Sequence, residues 1–174
     1  MTEQMDSRVG WFFAIMWIVA SKVAVFIVGF IMLATVSLLG PIVGLLAAYA
    51  LMGAIFGTAQ SWAMPDFRGQ EGRWVLLTMI GLAGAVSIGM LLRMNQVMLF
   101  TFIGAASGFL QWTMLHHKVR RAGLWIVANA VAWLLSALWE DTGLLLIGPI
   151  TGLTMMWLLN HPKQSLATAT TQVN

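Results

Sequence analysis

Long apolar runs separated by short polar turns fill almost the whole chain. The first extends from Gly10 to Met64 and is interrupted only by Lys22 and by Gly40-Pro41. That is too long for one element, and Gly-Pro marks a turn, because the residue before a proline is pushed out of helical geometry. The pattern therefore predicts a helix over 20–39 and a second over 42–63. Residues 8–21, with Trp11, Phe12, Phe13 and Trp17, form either an interfacial lead-in or an extension of the first helix. Further apolar runs predict helices over 74–92, 96–115, 122–139 and 143–160, the last two short, and a polar disordered tail over 163–174. An apolar helix of about 20 residues crosses a hydrocarbon core of roughly 30 Å. The expected fold class is an all-α membrane protein with six transmembrane helices in a single domain over 1–162.

Inside this pattern one arrangement of residues returns. Gly53, Gly57 and Gln60 precede Gly72 and Trp74; 51 positions later stand Gly104, Gly108 and Gln111, then Gly123 and Trp125. The glutamine-to-tryptophan spacing is 14 in both cases. A weaker third copy has Gly148 and Gly152, with Met155 where the glutamine would stand. At 100° per residue, positions i, i+4 and i+7 share a narrow stripe of a helix. Two glycines four apart cut a groove in which another backbone settles, and the glutamine beyond it can bond across to a neighbouring helix for about 0.6 to 2 kcal/mol. Trp74 and Trp125 open the next helices just past basic turns, where an indole is expected to anchor at headgroup level. The fold expected is about three repeated helical hairpins, with packing as the ordinary role of these residues and a central site as the alternative.

Composition narrows the class further. The chain is 60% hydrophobic and 9% charged, with a mean hydropathy of +0.86, whereas soluble domains carry about 25% charged residues. Without cysteine there are no disulfides and no thiolate metal sites. The net charge of +3 does not imply nucleic acid, because the basic residues sit in short turns as membrane topology requires. The N-terminus carries Glu3, Asp6 and Arg8 and lacks the basic start and cleavage site of a signal peptide, so the first apolar segment is expected to remain. Six crossings place Arg8, Lys22, Arg68, Arg73, Lys118, Arg120, Arg121 and Lys163 on one side, and Arg93 with Glu140 and Asp141 on the other. That bias puts both termini in the cytoplasm of a bacterial inner or internal membrane. Lys22 fits if it lies near the interface, where its stem can snorkel.

The run Gly104-x-x-x-Gly108-x-x-Gln111-Trp112, followed by a basic turn and Trp125, resembles a pattern in small repeat-bearing bacterial membrane proteins, several from cyanobacteria and related phototrophs. The likeness covers roughly 53–140; the first copy departs from it, with Ser61 in place of the tryptophan and Trp62 one position later. What the resemblance implies is a fold, not an activity.

Candidate chemistry is sparse. Ser107, within Ala105-Ala106-Ser107-Gly108, is similar to the Gly-x-Ser-Gly of rhomboid proteases, but the first glycine is alanine and the histidines His116, His117 and His161 all lie at or beyond helix ends. A serine nucleophile needs a base within hydrogen-bond reach, so proteolysis is set aside. His116 and His117, with Lys118, Arg120 and Arg121, could contact anionic lipid headgroups, the ordinary reading of a basic cytoplasmic turn, or supply an axial ligand to a tetrapyrrole. No cofactor or metal is otherwise expected; a metal wants three or four convergent ligands. No Asp or Glu falls inside an expected span, which argues against ion-coupled transport and proton relays. Asn129, mid-helix, is expected to bond to another helix.

These features favour a non-enzymatic integral membrane protein, an accessory or assembly subunit that acts by packing. Its expected partners are the lipid bilayer and other membrane proteins or a second copy. A small-solute transporter component, similar to the membrane subunits of vitamin importers, is the alternative. There Arg93, Glu140 and Asp141 would be the charged candidates at the outer face. A pigment or haem binder is the third reading.

Overall fold

The computed structural model describes residues 10–64, 69–139 and 143–162. The described residues form helices α1 (Trp11–Leu39), α2 (Pro41–Ala63), α3 (Glu71–Leu91), α4 (Gln96–Leu115), α5 (Leu124–Leu138) and α6 (Ile147–Leu159), with a 3-10 turn over Gly143–Leu146. The helices α1 to α4 are long and apolar enough to cross a membrane; α5 and α6 are shorter apolar helices. Arg8, Arg68, Glu140, Asp141 and the tail beyond Pro162 lie outside the described residues.

Local chemistry explains the boundaries. Gly40 adopts φ 79° between α1 and α2, a left-handed geometry that costs glycine little, and Pro41 then occupies the first turn of α2, where its missing N–H is not needed. Asn95 caps α4 by accepting from the Met98 N–H at 2.9 Å. Residues 11–21 belong to α1 itself, so the aromatic lead-in is an extension of the first helix. The expected helix over 143–160 instead begins as a 3-10 turn and becomes α-helical at Ile147; Pro149 falls in that first turn, where no intrahelical N–H is lost.

The helices pack in a ring, each touching the next in sequence and α6 returning to α1. The inward stripe of α3 is Trp74, Thr78, Gly81 and Ala85; that of α5 is Trp125, Asn129, Ala132 and Ser136. In α1 the same spacing gives Trp17, Ser21, Ala24 and Val28, all buried. A tryptophan followed by small or short polar residues at +4 and +7, and by Ala85, Ser136 or Val28 at +11, therefore faces inward from every second helix. Between them stand the glycine-bearing helices α2, α4 and α6. One end of the interior is built on Phe13, Met64, Trp74, Leu115, Trp125, Met155 and Leu158. The other end is built on Tyr49, Met52, Phe56, Val86, Ile103, Trp133 and Ile147.

Candidate functional site

The glycines settle the closest approaches in the ring. A methyl group on Gly53 would stand 2.5 Å from the Met79 Cα, and one on Gly57 would stand 2.7 Å from the Val75 Cα. On α4, Gly104 abuts the Asn129 carbonyl, and Gly108 would place a methyl 3.1 Å from the Ile126 Cα. On α6, Gly148 would place one 3.0 Å from the Ser21 Cβ and 3.3 Å from the Ile18 carbonyl oxygen. Each glycine-bearing helix is thus seated against one tryptophan-bearing helix, α2 on α3, α4 on α5 and α6 on α1. All these grooves are filled within the chain.

Hydrogen bonds follow from those approaches. The Trp74 indole N–H donates to Gln60 Oε1 at 3.1 Å, and the Trp125 N–H donates to Gln111 Oε1 at 2.8 Å. Gln111 Nε2 in turn donates to Thr78 Oγ1 at 2.8 Å and reaches Gln60 Oε1 at 3.4 Å. Gln111 therefore joins one helix pair to the next. The third pair makes the corresponding bond with a shorter acceptor, as the Trp17 N–H donates to Thr151 Oγ1 at 3.0 Å. The three indoles meet at the centre, with ring centroids 5.9 Å apart for Trp17 and Trp125 and 6.1 Å for Trp74 and Trp125.

Two expectations are corrected here. Trp74 and Trp125 are fully buried in the bundle, not anchors at a headgroup surface. An indole N–H beside a buried amide oxygen is satisfied inside, so the ring is free to bury its whole surface. The third copy is also displaced by one helical turn. Gly148 makes the contacts of Gly57 and Gly108, so Thr151, three residues on, corresponds to the glutamines. Met155 instead corresponds to Met64 and Leu115, all of them buried, and Gly152 packs on the Trp17 indole, where a methyl group would stand 2.8 Å from its Cδ1.

Asn129 departs from expectation as well. Its Nδ2 donates to the Trp125 carbonyl at 2.9 Å, one turn back on its own helix, because Gly104 and Gly108 press α4 against it. Asn129 borders, with Gln60, Thr78, Ser107 and Gln111, a central void of about 10 Å³, room for one water at most. The Ser107 hydroxyl donates to the Ile103 carbonyl of its own helix at 2.8 Å. Thr78, Thr151, Trp17 and Ser21 were not singled out from the sequence; for Thr78 and Ser21 the signal was a polar residue four positions past a tryptophan.

The remaining candidates lie on the periphery. The His116 ring stacks on Trp112 at 4.6 Å and contacts His117 at 3.5 Å, and its Nδ1 lies 3.2 Å from the Trp112 carbonyl oxygen. His116 is half-buried and His117 is exposed. Exposed Arg120 and Arg121 border, with Trp157 and His161, a pocket of about 240 Å³. An apolar groove between α5 and α6 also includes Trp157 in its wall. Two guanidinium groups in one turn are chemistry that can meet an anionic headgroup. Among the described residues no three His, Asp or Glu side chains converge. Arg93 is exposed in the turn between α3 and α4. At that end of the bundle lies a cavity of about 180 Å³ whose wall is almost wholly apolar.

No protein-family model, curated protein or solved structure matches the chain.

Proposed function

We propose that this chain is a multi-pass integral membrane protein built from three related helix pairs, with no enzymatic activity of its own, that serves as an accessory or assembly subunit of a larger membrane complex. Both termini face the cytoplasm in this reading. In its support, the starts of α1, α3 and α5 share one end of the bundle with Arg73, Lys118, Arg120 and Arg121, while Arg93 stands at the other. The observation that carries the proposal is α1. This helix of 29 residues buries only a narrow stripe and presents Trp11, Phe12, Phe26, Phe30 and Leu33 outward. Phe26 and Phe30 pair edge to face at 5.3 Å on that outer surface, a rigid aromatic ridge suited to a neighbouring apolar helix.

The test is a photo-cross-linking residue at Phe30, with Val86 of the interior as control, followed by blue-native electrophoresis in mild detergent. A discrete cross-linked product from Phe30 alone supports the reading. A lone monomer with no product at either position sinks it. One observation favours the second reading, a component that binds a small solute: the apolar cavity between α1, α2 and α5.

A further inference from the structure

The third helix pair departs furthest from the other two at the end away from Trp17. Where α2 and α4 carry Gly53 and Gly104, four residues before the second glycine, the third pair carries Leu144, in the 3-10 turn that precedes α6. Where α3 and α5 carry Val86 and Ala137, twelve residues past the tryptophan, α1 carries Gly29. A methyl group added to Gly29 would meet nothing within 4 Å. Both Leu144 and Gly29 line the cavity of about 180 Å³, walled also by Val28, Tyr49, Phe100 and Trp133 among others.

Its wall holds two hydrogen-bond donors without acceptors. Tyr49 and Trp133 are 5% and 4% exposed, yet neither the phenol hydroxyl nor the indole N–H bonds to any described residue. Neither donor atom is sealed in protein, for the buried side-chain atom without a partner among the described residues is the Ser21 hydroxyl; the central tryptophans Trp17, Trp74 and Trp125 all have acceptors. We infer that this cavity binds a lipophilic carbonyl compound of single-ring size, the class to which membrane quinones belong, with a carbonyl oxygen accepting from the Tyr49 hydroxyl. The volume is close to that of an engineered cavity of about 150 Å³ that takes up benzene, so one substituted ring fits and a fused system does not. Phe100 and Trp133, edge to face at 5.8 Å, offer aromatic walls. Gly29 is exposed on the outer face of α1, so a ring can enter there with its tail trailing into the bilayer. This route rests on the membrane reading; the cavity and its donors do not.

The test uses the full chain in lipid nanodiscs and equilibrium dialysis, with empty nanodiscs subtracted. The probes are a dimethyl para-benzoquinone and durene, a hydrocarbon in which methyl groups take the place of the two carbonyls. With no cysteine in the chain, thiol addition to the quinone does not interfere. The quinone is expected to bind saturably, one per chain, and durene roughly tenfold more weakly. Tyr49→Phe lowers quinone affinity about five- to tenfold, as for loss of one buried hydrogen bond, and leaves durene unchanged. Gly29→Val, restoring the residue found at Val86, abolishes both without lowering thermal stability. Equal binding of the two probes, or quinone binding that survives Gly29→Val, overturns the proposal, as does absence of saturable uptake. If the chain fails to enter nanodiscs, the membrane reading fails, and the same titration in detergent micelles still decides the cavity.

Discussion

Replacing Gln111 by leucine tests whether the central network holds the helix pairs together. Leucine keeps the volume close and removes every hydrogen bond of the amide. Thr78 remains satisfied as a donor, because its hydroxyl already donates to the Trp74 carbonyl at 2.8 Å. Trp125 does not: its indole is fully buried, and Gln111 Oε1 is its acceptor at 2.8 Å. An orphaned buried donor costs about 1–3 kcal/mol. The lost bond from Gln111 Nε2 to Thr78 adds about 0.6 kcal/mol, the usual worth of an interhelical bond in a membrane protein. The expected destabilisation is therefore about 2–4 kcal/mol. That figure alone does not separate the hydrogen bond from a packing defect, so the decisive measurement is a double-mutant cycle with Trp125→Phe, which removes the donor itself. Stability is read by pulse proteolysis across a series of sodium dodecyl sulfate fractions in mixed micelles. Trp125→Phe should cost about 1–2 kcal/mol less in the Gln111→Leu background than in the parent. An identical cost in both backgrounds would show that the two side chains do not act as a pair, and the account of Gln111 as the joint between helix pairs would be wrong.

Four further substitutions separate the roles of the small residues. Gly53→Ala and Gly104→Ala force a methyl against a neighbouring backbone that cannot yield and should each cost about 1–3 kcal/mol; Gly84→Ala, with nothing within 4 Å, should be neutral or stabilise by up to about 1 kcal/mol, and the same proteolysis assay ranks the three. Ser21 is buried with a hydroxyl that has no partner among the described residues, so Ser21→Ala should raise the melting temperature in detergent; a fall would mean that the hydroxyl is engaged.

The sequence carried much of the glycine-seated pairs because their information is local. Gln60 and Trp74 lie 14 residues apart, as do Gln111 and Trp125, so each pair meets within one stretch of chain whatever the rest of it does. What it did not carry was the direction of the indoles. A tryptophan just past a basic turn has the pattern of an interface anchor, and only the ring of helices, closed by α1 returning to α6, turns Trp74 and Trp125 into its centre. Trp17 was hidden for the same reason, since its acceptor Thr151 lies 134 residues away. The displaced third copy has a plainer cause. Gly148 and Gly152 are four apart like the other pairs, so spacing alone aligned them one turn out of place, and nothing short of the contacts of Gly148 could correct it.

The order of the helices explains where the bundle is least regular. In α2–α3 and α4–α5 the glycine helix directly precedes its tryptophan helix in the chain. In the third pair, α6 ends the ring and its partner α1 begins it, so the pair closes only after the whole chain is in place. Every departure from the common contacts gathers there: Thr151 in place of a glutamine, Leu144 in place of a glycine, Gly29 in place of Val86, and the unpaired Ser21 hydroxyl. A contact made late, between distant segments, carries a larger loop-closure cost than one within a hairpin. If stability alone governed these positions, the tightest packing would be expected at this seam. The seam is instead held firmly at one end, by Trp17 on Thr151 and Gly152, and left open at the other, by Leu144 and Gly29. A closure that is secured at one end only is a clasp around a space, and this is the arrangement a lipophilic ligand would need in order to enter without unlocking the central tryptophans.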